Sequence, residues 1–508
     1  MTTTKITRAL VSVYYKDNLE PIIHTLGKAG VEFISTGGTQ QFIEKLGYTV
    51  TPVEKLTGYP SIFGGRVKTL HPAVFGGILF RRQDEGDKKQ AGEFGIGPID
   101  LVIVDLYPFE ETVSGGGTQE EIVEKIDIGG ISLIRAAAKN FNDVLVVASR
   151  NQYPELLKLL ETKQVGSDLE DRKRFAAMAF AVTSHYDTAI FQYFNKEQSL
   201  PVFKVSYPAG RTLRYGENPH QKGIYYGALD SLFEQLSGKE LSYNNLVDVD
   251  AALELVGEFG NETAFVIIKH TNACGVAIGK SVKEAYQKAF QADTISAFGG
   301  VLACNRTIDK EAAEEMNSLF FEILVAPAYD KEALDLLMTK KNRILLLQKK
   351  QLAKTKQVKT LLDGIIEQDI DWKTDGAADL KVMTKRSPTD PEIKALLFAS
   401  KVCKHTKSNT IVLAVEGQLL ASGVGQTSRV DALKQAIEKA KAFGFNLNGA
   451  VMASDAFFPF PDCVEIAYQQ GIGAVIQPGG SIKDKDSIAF CDDHNMAMVF
   501  TGYRHFKH

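Results

Sequence analysis

Apolar residues in the first part of the chain come in short continuous runs rather than in strict alternation. "ALVSVYY", "VEFISTGG", "IDLVIVDLYPF" and "DVLVVAS" each read as a strand apolar on both faces. Helical stretches such as "NLEPIIHTLGKAG" lie between them, and that order predicts a parallel sheet covered on both sides. Thr118 and Glu121 have the spacing of a capping box that opens a helix. Phe175, Met178, Val182, Tyr186, Ile190 and Tyr193 recur at three or four residues, which predicts one long helix from about Glu170 to Phe194. The stretch after it, "NKEQSLP", is polar and broken by Pro201, so a domain boundary is expected there, with residues 1–198 on one side and 199–508 on the other.

The alternation then resumes. "AFVIIKH", "GGVLACN", "FEILVAP" and "RILLLQ" are strands separated by helical segments. A Lys-rich, irregular segment over 349–388 precedes a second series running from "PEIKALLFASKVCKH" through "TIVLAVEGQLLASGVG" and "GAVMASD" to "MAMVFTGY". The second domain is therefore expected as two α/β subdomains of similar build, about 199–385 and 386–508. Lys340, Lys341, Lys349, Lys350, Lys354, Lys356 and Lys359 read most simply as a solvated face, with attraction of a polyanionic substrate tail as the lesser alternative.

Composition narrows the function classes. With 508 residues the chain exceeds the reach of a single core, and 44% hydrophobic with 24% charged residues is an ordinary globular balance. Fifty-eight basic against 62 acidic side chains give a net charge of -4, which offers nucleic acid no general attraction. No apolar run reaches the roughly 18 residues needed to span a bilayer, and no signal peptide is evident, so a cytoplasmic protein with no membrane partner is expected. Cys274, Cys304, Cys403, Cys463 and Cys491 are scattered and contain no C-x-x-C pair, which argues for reduced thiols and against a zinc cage.

Candidate chemistry lies where parallel strands end and helices begin. "STGGT" (Ser35–Thr39) offers backbone amides at a helix start to an anion. "GGRVKTLHP" gathers Arg66, Lys68 and His71, "DLYPF" puts Tyr107 at a strand end, and "IDIGGISLIRAAAKN" sets Asp127 before a Gly-Gly helix start with Lys139 three turns on. Each alone reads as an ordinary turn or solvated loop; four such loops in one domain outweigh that reading. In the second domain "AFVIIKHTNACGVA" delivers Lys269 and His270 side by side at the end of an apolar strand, a pair that must be desolvated or pointed into a cleft. A satisfied structural histidine is the better reading of a lone His but the poorer one beside a Lys. "RYGENPHQ", "SAFGG", "KSNT", "GQTSR", "SDAFFPFPD" and "GYRHF" supply further cations, aromatics and glycines.

Taken in order, "GRVKTLHP", "LYPF", "IDIGG" with "RAAAKN", "RYGENPHQ", "KHTNACG", "SAFGG", "SDAFFPFPD" and the C-terminal R-x-F-x-H resemble the motifs of a bifunctional family of purine biosynthesis. In that family phosphoribosylaminoimidazolecarboxamide (AICAR) formyltransferase is joined to IMP cyclohydrolase. The resemblance spans essentially the whole chain. It implies an α/β fold with a methylglyoxal-synthase-like parallel-sheet domain first and a formyltransferase of two cytidine-deaminase-like units second. The substrates implied are AICAR, 10-formyltetrahydrofolate as co-substrate, formyl-AICAR and IMP, with no metal required, a monovalent cation allowed, and a homodimer sharing its formyltransferase site.

By the same resemblance His270 takes a proton from the AICAR amine while Lys269 stabilises the oxyanion or protonates the leaving nitrogen. Arg214, Tyr215, Asn272, Gly299, Glu322, Asn409, Arg429, Phe457 and Arg504 would surround AICAR, and Asp462 would contact the pterin. For ring closure, Lys68 would stabilise the oxyanion, and Tyr107, Asp127 and Lys139 would manage protons and the carboxamide. Ser12, Lys16, Thr36, Gly37, Gly38, Thr39, Arg66, Thr69 and Gly129 would hold the nucleotide. The family's Ser-Val-Ser-Asp-Lys appears here as Ser12-Val13-Tyr14-Tyr15-Lys16, and its Asn-Pro-Cys-Gly as Asn272-Ala273-Cys274-Gly275. Two rival readings are a zinc deaminase, disfavoured by the missing ligand spacing, and a non-catalytic sensor of phosphoribosyl ligands, which leaves Lys269-His270 unexplained.

Overall fold

In a computed structural model that describes residues 3–508, the chain forms two compact units, Met1–Pro208 and Ala209–His508. The first is built on strands β1 (Arg8–Ser12), β2 (Glu32–Ser35), β3 (Val50–Pro52), β4 (Leu101–Val104) and β5 (Leu145–Val147), with helices α1 (Glu20–Lys28), α2 (Gly37–Lys45), α3 (Pro72–Leu79), α4 (Gly129–Lys139) and α5 (Leu169–Phe194). The sheet order is β3-β2-β1-β4-β5, and every pairing is parallel. The continuous apolar runs are explained by cover on both faces. Ala9, Val11, Phe33 and Ile103 point into one core, whereas Leu10, Ile34, Val102 and Val146 point into the other. The expected capping box at Thr118 and Glu121 is present, and α5 begins with a second one at Asp168 and Asp171.

The second unit opens with a small antiparallel pair, Gly210–Thr212 with Ile224–Tyr226, and one helical turn, Leu229–Leu232, before strand β6 (Phe233–Ser237). Helix α6 (Tyr243–Gly257), strands β7 (Ala264–Lys269) and β8 (Asn272–Ile278), helix α7 (Val282–Gln291), strand β9 (Val301–Cys304), helix α8 (Lys310–Met316), strand β10 (Ile323–Ala326), helix α9 (Lys331–Met338) and strand β11 (Ile344–Gln348) follow. After a hairpin, β12 (Lys356–Leu361) and β13 (Gly364–Asp369), and a short edge strand β14 (Lys381–Val382), the same element order returns. It comprises α10 (Asp390–Lys404), β15 (Ile411–Val415), β16 (Gln418–Gly423), α11 (Arg429–Ala442), β17 (Val451–Ser454), α12 (Asp462–Gln469), β18 (Ala474–Gln477), α13 (Asp484–Asp493) and β19 (Ala497–Phe500).

The two halves are not separate layers. They fuse into one 12-stranded sheet, β6-β11-β10-β9-β7-β8-β16-β15-β17-β18-β19-β14, joined where Ala277 of β8 pairs antiparallel with Gln418 of β16. On one face a single core runs across both halves, with Val266, Val325, Val412 and Ile476 packed beneath α6 and α10. The other face carries two separate cores, around Phe265 and Leu324 and around Leu413 and Met452. The Lys-rich stretch expected to be irregular contains the β12–β13 hairpin, whose two-residue turn is Leu362-Asp363. Its lysines are also not free: Lys354 pairs with Asp250 and Glu254 of α6, and Lys356 with Asp369.

Helix α7 lies so close to β8 that a Cβ on Gly275 would come within 2.1 Å of the Ala289 carbonyl oxygen. Gly275→Ala should therefore lower the unfolding free energy by about 1–3 kcal/mol, the usual cost of overpacking, read by denaturant titration. An unchanged transition midpoint would show that α7 can move away freely.

Candidate functional site

Parallel strands place their following loops along one edge of the sheet, and in the first unit those loops enclose a cavity of about 630 Å³. It is lined by Ser12 and Lys16 after β1; Thr36, Gly37, Gly38 and Thr39 after β2; Arg66, Lys68 and Thr69; Tyr107 after β4; and Asp127 and Gly129 at the start of α4. Residues far apart in sequence thus meet in one place. Lys139 does not line the cavity. It is exposed in the last turn of α4, whose 11 residues carry it roughly 15 Å along the axis from Gly129.

Helix α2 offers this cavity an anion cradle. Thr36 is extended at its N-cap without a side-chain cap bond, and Gly37 turns into the helix with φ 49°, a conformation that suits glycine. The first amides of α2 are therefore open to an anion and reinforced by the helix dipole. The Thr39 hydroxyl ties this turn to the β1 loop, accepting from the Val13 N–H at 3.1 Å and donating to the Val13 carbonyl at 2.9 Å. The Asp105 carboxylate accepts the backbone N–H groups of Tyr14 and Tyr15, and the Lys16 ammonium donates to the Tyr14 carbonyl at 2.9 Å. Here lies the answer to the two tyrosines. Tyr14 faces the cavity, edge-on to Tyr107 at 5.8 Å between ring centroids, while Tyr15 faces away to Glu111 and Arg150.

Desolvation sets the electrostatics. Burial pushes the carboxyls of Asp105 and Asp127 above their ordinary values, raises the Tyr107 phenol and pulls the Lys16 ammonium down. Asp127 nevertheless has firm partners. It accepts from the Gly130 N–H at 2.6 Å, and its own N–H donates to the Tyr186 hydroxyl at 2.9 Å. A Cβ on Gly130 would come within 2.6 Å of that carboxylate, so the second glycine of the motif is there for close approach. Arg66 is paired with Glu124 across the cavity mouth, both side chains more than half exposed. Sequence reasoning missed Asp105, although an acid at a strand end in "VDLYPF" was its signal. It read Tyr186 only as core.

In the second unit, β7 ends at Lys269 and turns through His270 and Thr271 directly into β8, so that Lys269 pairs with Asn272. Both turn residues have positive φ, 53° and 65°, and the His270 side chain stands exposed. The Thr271 N–H donates to Asp248 of α6 at 2.7 Å. The Lys269 ammonium donates to the Phe298 carbonyl and lies beside Gly299, whose φ of 71° makes the second turn where glycine is required. The first turns of α6 gather the rest. Tyr243 bonds the Tyr215 carbonyl at 3.3 Å, and Asn245 donates to Glu322 at 2.9 Å. The Arg214 guanidinium stacks on the Tyr215 ring at 4.6 Å.

A second cluster comes from the other half. Arg429 donates to Asn409 at 2.9 Å, to buried Asp455 at 2.8 Å and to the Phe457 carbonyl at 3.2 Å. The Asn272 side-chain oxygen accepts the Lys407 N–H at 3.2 Å, which ties the His270 turn to the Asn409 loop. In "FFPF" the roles alternate, Phe458 being core whereas Phe457 and Phe460 are exposed. Asp462 opens α12 and accepts the N–H of its neighbour Cys463 at 2.8 Å; Arg504 is exposed over Phe506. Asp248, Asn245, Asp455 and His505 were not foreseen, because each acts through a partner distant in sequence. Among the described residues no group of three or more His, Cys, Asp or Glu is placed to hold a metal, and no helix is long and apolar enough to cross a membrane.

A parallel α/β unit with an anion cradle at its strand ends, followed by an α/β unit of two like halves, defines an enzyme of small anionic substrates. An MGS-like domain model matches residues 18–132, and the AICARFT/IMPCHase bienzyme model matches residues 137–439. The chain belongs to the AICARFT/IMPCHase bienzyme family. It is 60% identical over 504 residues to the bifunctional purine biosynthesis protein PurH of Bacteroides thetaiotaomicron, covering 99% of both chains. The proteins of that name from Aquifex aeolicus and Bacillus subtilis are 49% and 46% identical, over 99% of this chain and 100% of theirs.

Because Thr39 locks the β1 loop to α2, Thr39→Val should weaken IMP binding about 10-fold by calorimetry, the scale of one or two lost hydrogen bonds. Unchanged affinity would remove that tie from the cradle.

Proposed function

We propose that the two activities of the family divide between the two units, formyl transfer on the second and ring closure in the cavity of the first. The chain carries out the last two steps of IMP synthesis. In the first, the 5-amino nitrogen of AICAR attacks the formyl carbon of 10-formyltetrahydrofolate, and the folate nitrogen leaves. The amine is weakly nucleophilic, its lone pair being delocalised into the ring and carboxamide. His270, exposed on its turn, takes the amine proton, and Lys269 stabilises the oxyanion or protonates the departing nitrogen. Arg214, Tyr215, Asn272, Gly299, Glu322, Asn409, Arg429, Phe457 and Arg504 hold AICAR, and Asp462 meets the pterin.

Ring closure is intramolecular. The carboxamide nitrogen attacks the formyl carbon and water is lost, so holding the substrate folded supplies much of the acceleration. The observation that carries this reading is the cavity, which assembles cradle, Lys68, Tyr107 and Asp127 from separate loops. The amides of α2 with Ser12, Lys16, Arg66 and Thr69 take the phosphate, Lys68 the oxyanion, and Tyr107 and Asp127 the protons. Lys139 keeps its proposed part in proton management only through a route other than lining this cavity. The working protein is a cytoplasmic homodimer with no nucleic-acid or membrane partner. Its five free, buried cysteines suit a reducing compartment, and exposed Phe298, Phe320 and Phe460 suit a shared formyltransferase surface. A monovalent cation remains compatible with this reading.

His270→Ala should lower formyl transfer by about 10²–10⁴-fold, the yield of a positioned base, with ring closure intact. Lys68→Ala should abolish closure and spare formyl transfer. Following tetrahydrofolate release with AICAR, then IMP formation from formyl-AICAR, reads both. Equal loss of both activities in either variant would sink the division of labour.

A further inference from the structure

The last eight residues, Thr501–His508, form neither helix nor strand, yet they carry Arg504. What fixes such a segment must be its anchors. The strongest is the side chain of His505, which is buried and reaches Asp371 through Nδ1 at 2.6 Å and Asp375 through Nε2 at 3.3 Å. Both ring nitrogens face carboxylates, an arrangement that an imidazolium, with two N–H donors, satisfies. Asp375 is itself held by the Ser400 hydroxyl of α10 at 2.5 Å. The backbone of the same residue faces the other way: the His505 N–H donates to the Asp455 carbonyl at 3.0 Å, and the Asp455 carboxylate binds Arg429. One residue thus joins three parts of the unit: the 371–375 segment, the Arg429 cluster and the tail.

We propose that His505 is a positioning residue for AICAR binding, its imidazole clamped between Asp371 and Asp375 so that the adjoining Arg504 is presented beside Arg429. This rests on the reading that Arg504 contacts AICAR. The charged groups around the clamp are Asp371 and Asp375, Lys373 on their own segment, Lys404 of α10, and Asp455 with Arg429 behind it. Burial alone would lower the His505 pKa, but the two carboxylates outweigh it and hold the imidazole up to about 9. The clamp is therefore charged below about pH 9 and released above it.

Steady-state formyl transfer on the full chain tests this, with ring closure of formyl-AICAR as internal reference. His505→Gln should raise KM for AICAR about 10-fold, the scale of one charge-assisted hydrogen bond, with kcat and closure little changed. Asp371→Asn, at the partly exposed end of the clamp, should act in the same direction and decides the matter if His505→Gln does not fold. In the parent, KM for AICAR should climb as pH rises through about 9, and His505→Gln should lack that rise. Arg504→Ala separates the two readings. If it raises KM while His505→Gln and Asp371→Asn stay within about twofold of the parent, the clamp is refuted and the Arg504 contact stands. If Arg504→Ala leaves KM unchanged, the contact fails and the clamp's purpose falls with it.

Discussion

One backbone pairing holds the second unit together as a working surface: β8 lies antiparallel to β16 where Ala277 meets Gln418. Without it, two similar α/β halves would each need cover for an exposed sheet edge. With it, the edge disappears, and α6 and α10 share one core across the junction, where Phe259 and Phe398 meet at 5.5 Å. The His270 turn at one end of β8 lies near the Asn409 loop because both flank that junction, and Asn272 closes the gap to Lys407. The Lys269-His270 pair of the first half and the Arg429 cluster of the second are thus placed by sheet pairing, not by any motif of their own.

The first unit solves a different problem. Its cavity collects charged and polar groups at the end of a sheet that is apolar on both faces, and burial penalises Asp105, Asp127 and Lys16 in their charged forms. What keeps them there is backbone. The amides of Tyr14, Tyr15 and Gly130 point at carboxylates, and the amides of α2 point at space for a ligand. Dipoles fixed before a ligand arrives need no reorganisation when charge develops. Burial moves the carboxyls of Asp105 and Asp127 toward neutrality, whereas the Tyr107 phenol moves further from it.

Much of this was legible in the residues. Continuous apolar runs foretold a doubly covered parallel sheet, the three-or-four spacing foretold α5, and every strand-end loop singled out in the first domain contributes to the cavity. What stayed hidden has a common cause. Asp105, Asp248, Asp455 and His505 matter through partners distant in sequence, and no local pattern announces such a partner. The β12–β13 hairpin was concealed by its lysines, whose charge suggested solvated coil, and by a Leu362-Asp363 turn that precedes Gly364 rather than containing it. Lys139 shows the converse. Its spacing after Asp127 put it within the motif, yet helical rise carries it away from the cavity.

The turn at His270 and Thr271 shows why the imidazole stands where it does. Two-residue hairpin turns with both φ positive favour Asn-Gly, and a β-branched residue there is an outlier. Each such residue costs on the order of 1–3 kcal/mol. A hydrogen bond to a charged acceptor returns about 1.5–3 kcal/mol, so Asp248 accepting the Thr271 N–H offsets one strained residue but not both. The remainder is met by the flanking strands, which are fully buried and paired on both sides, β7 against β8 and against β9. An Asn-Gly turn would relieve the strain and lose the imidazole. The chain instead keeps a histidine there, its side chain exposed at the tip of a hairpin whose strand interiors are buried. An exposed imidazole on such a turn is the placement that the proposed proton acceptor requires.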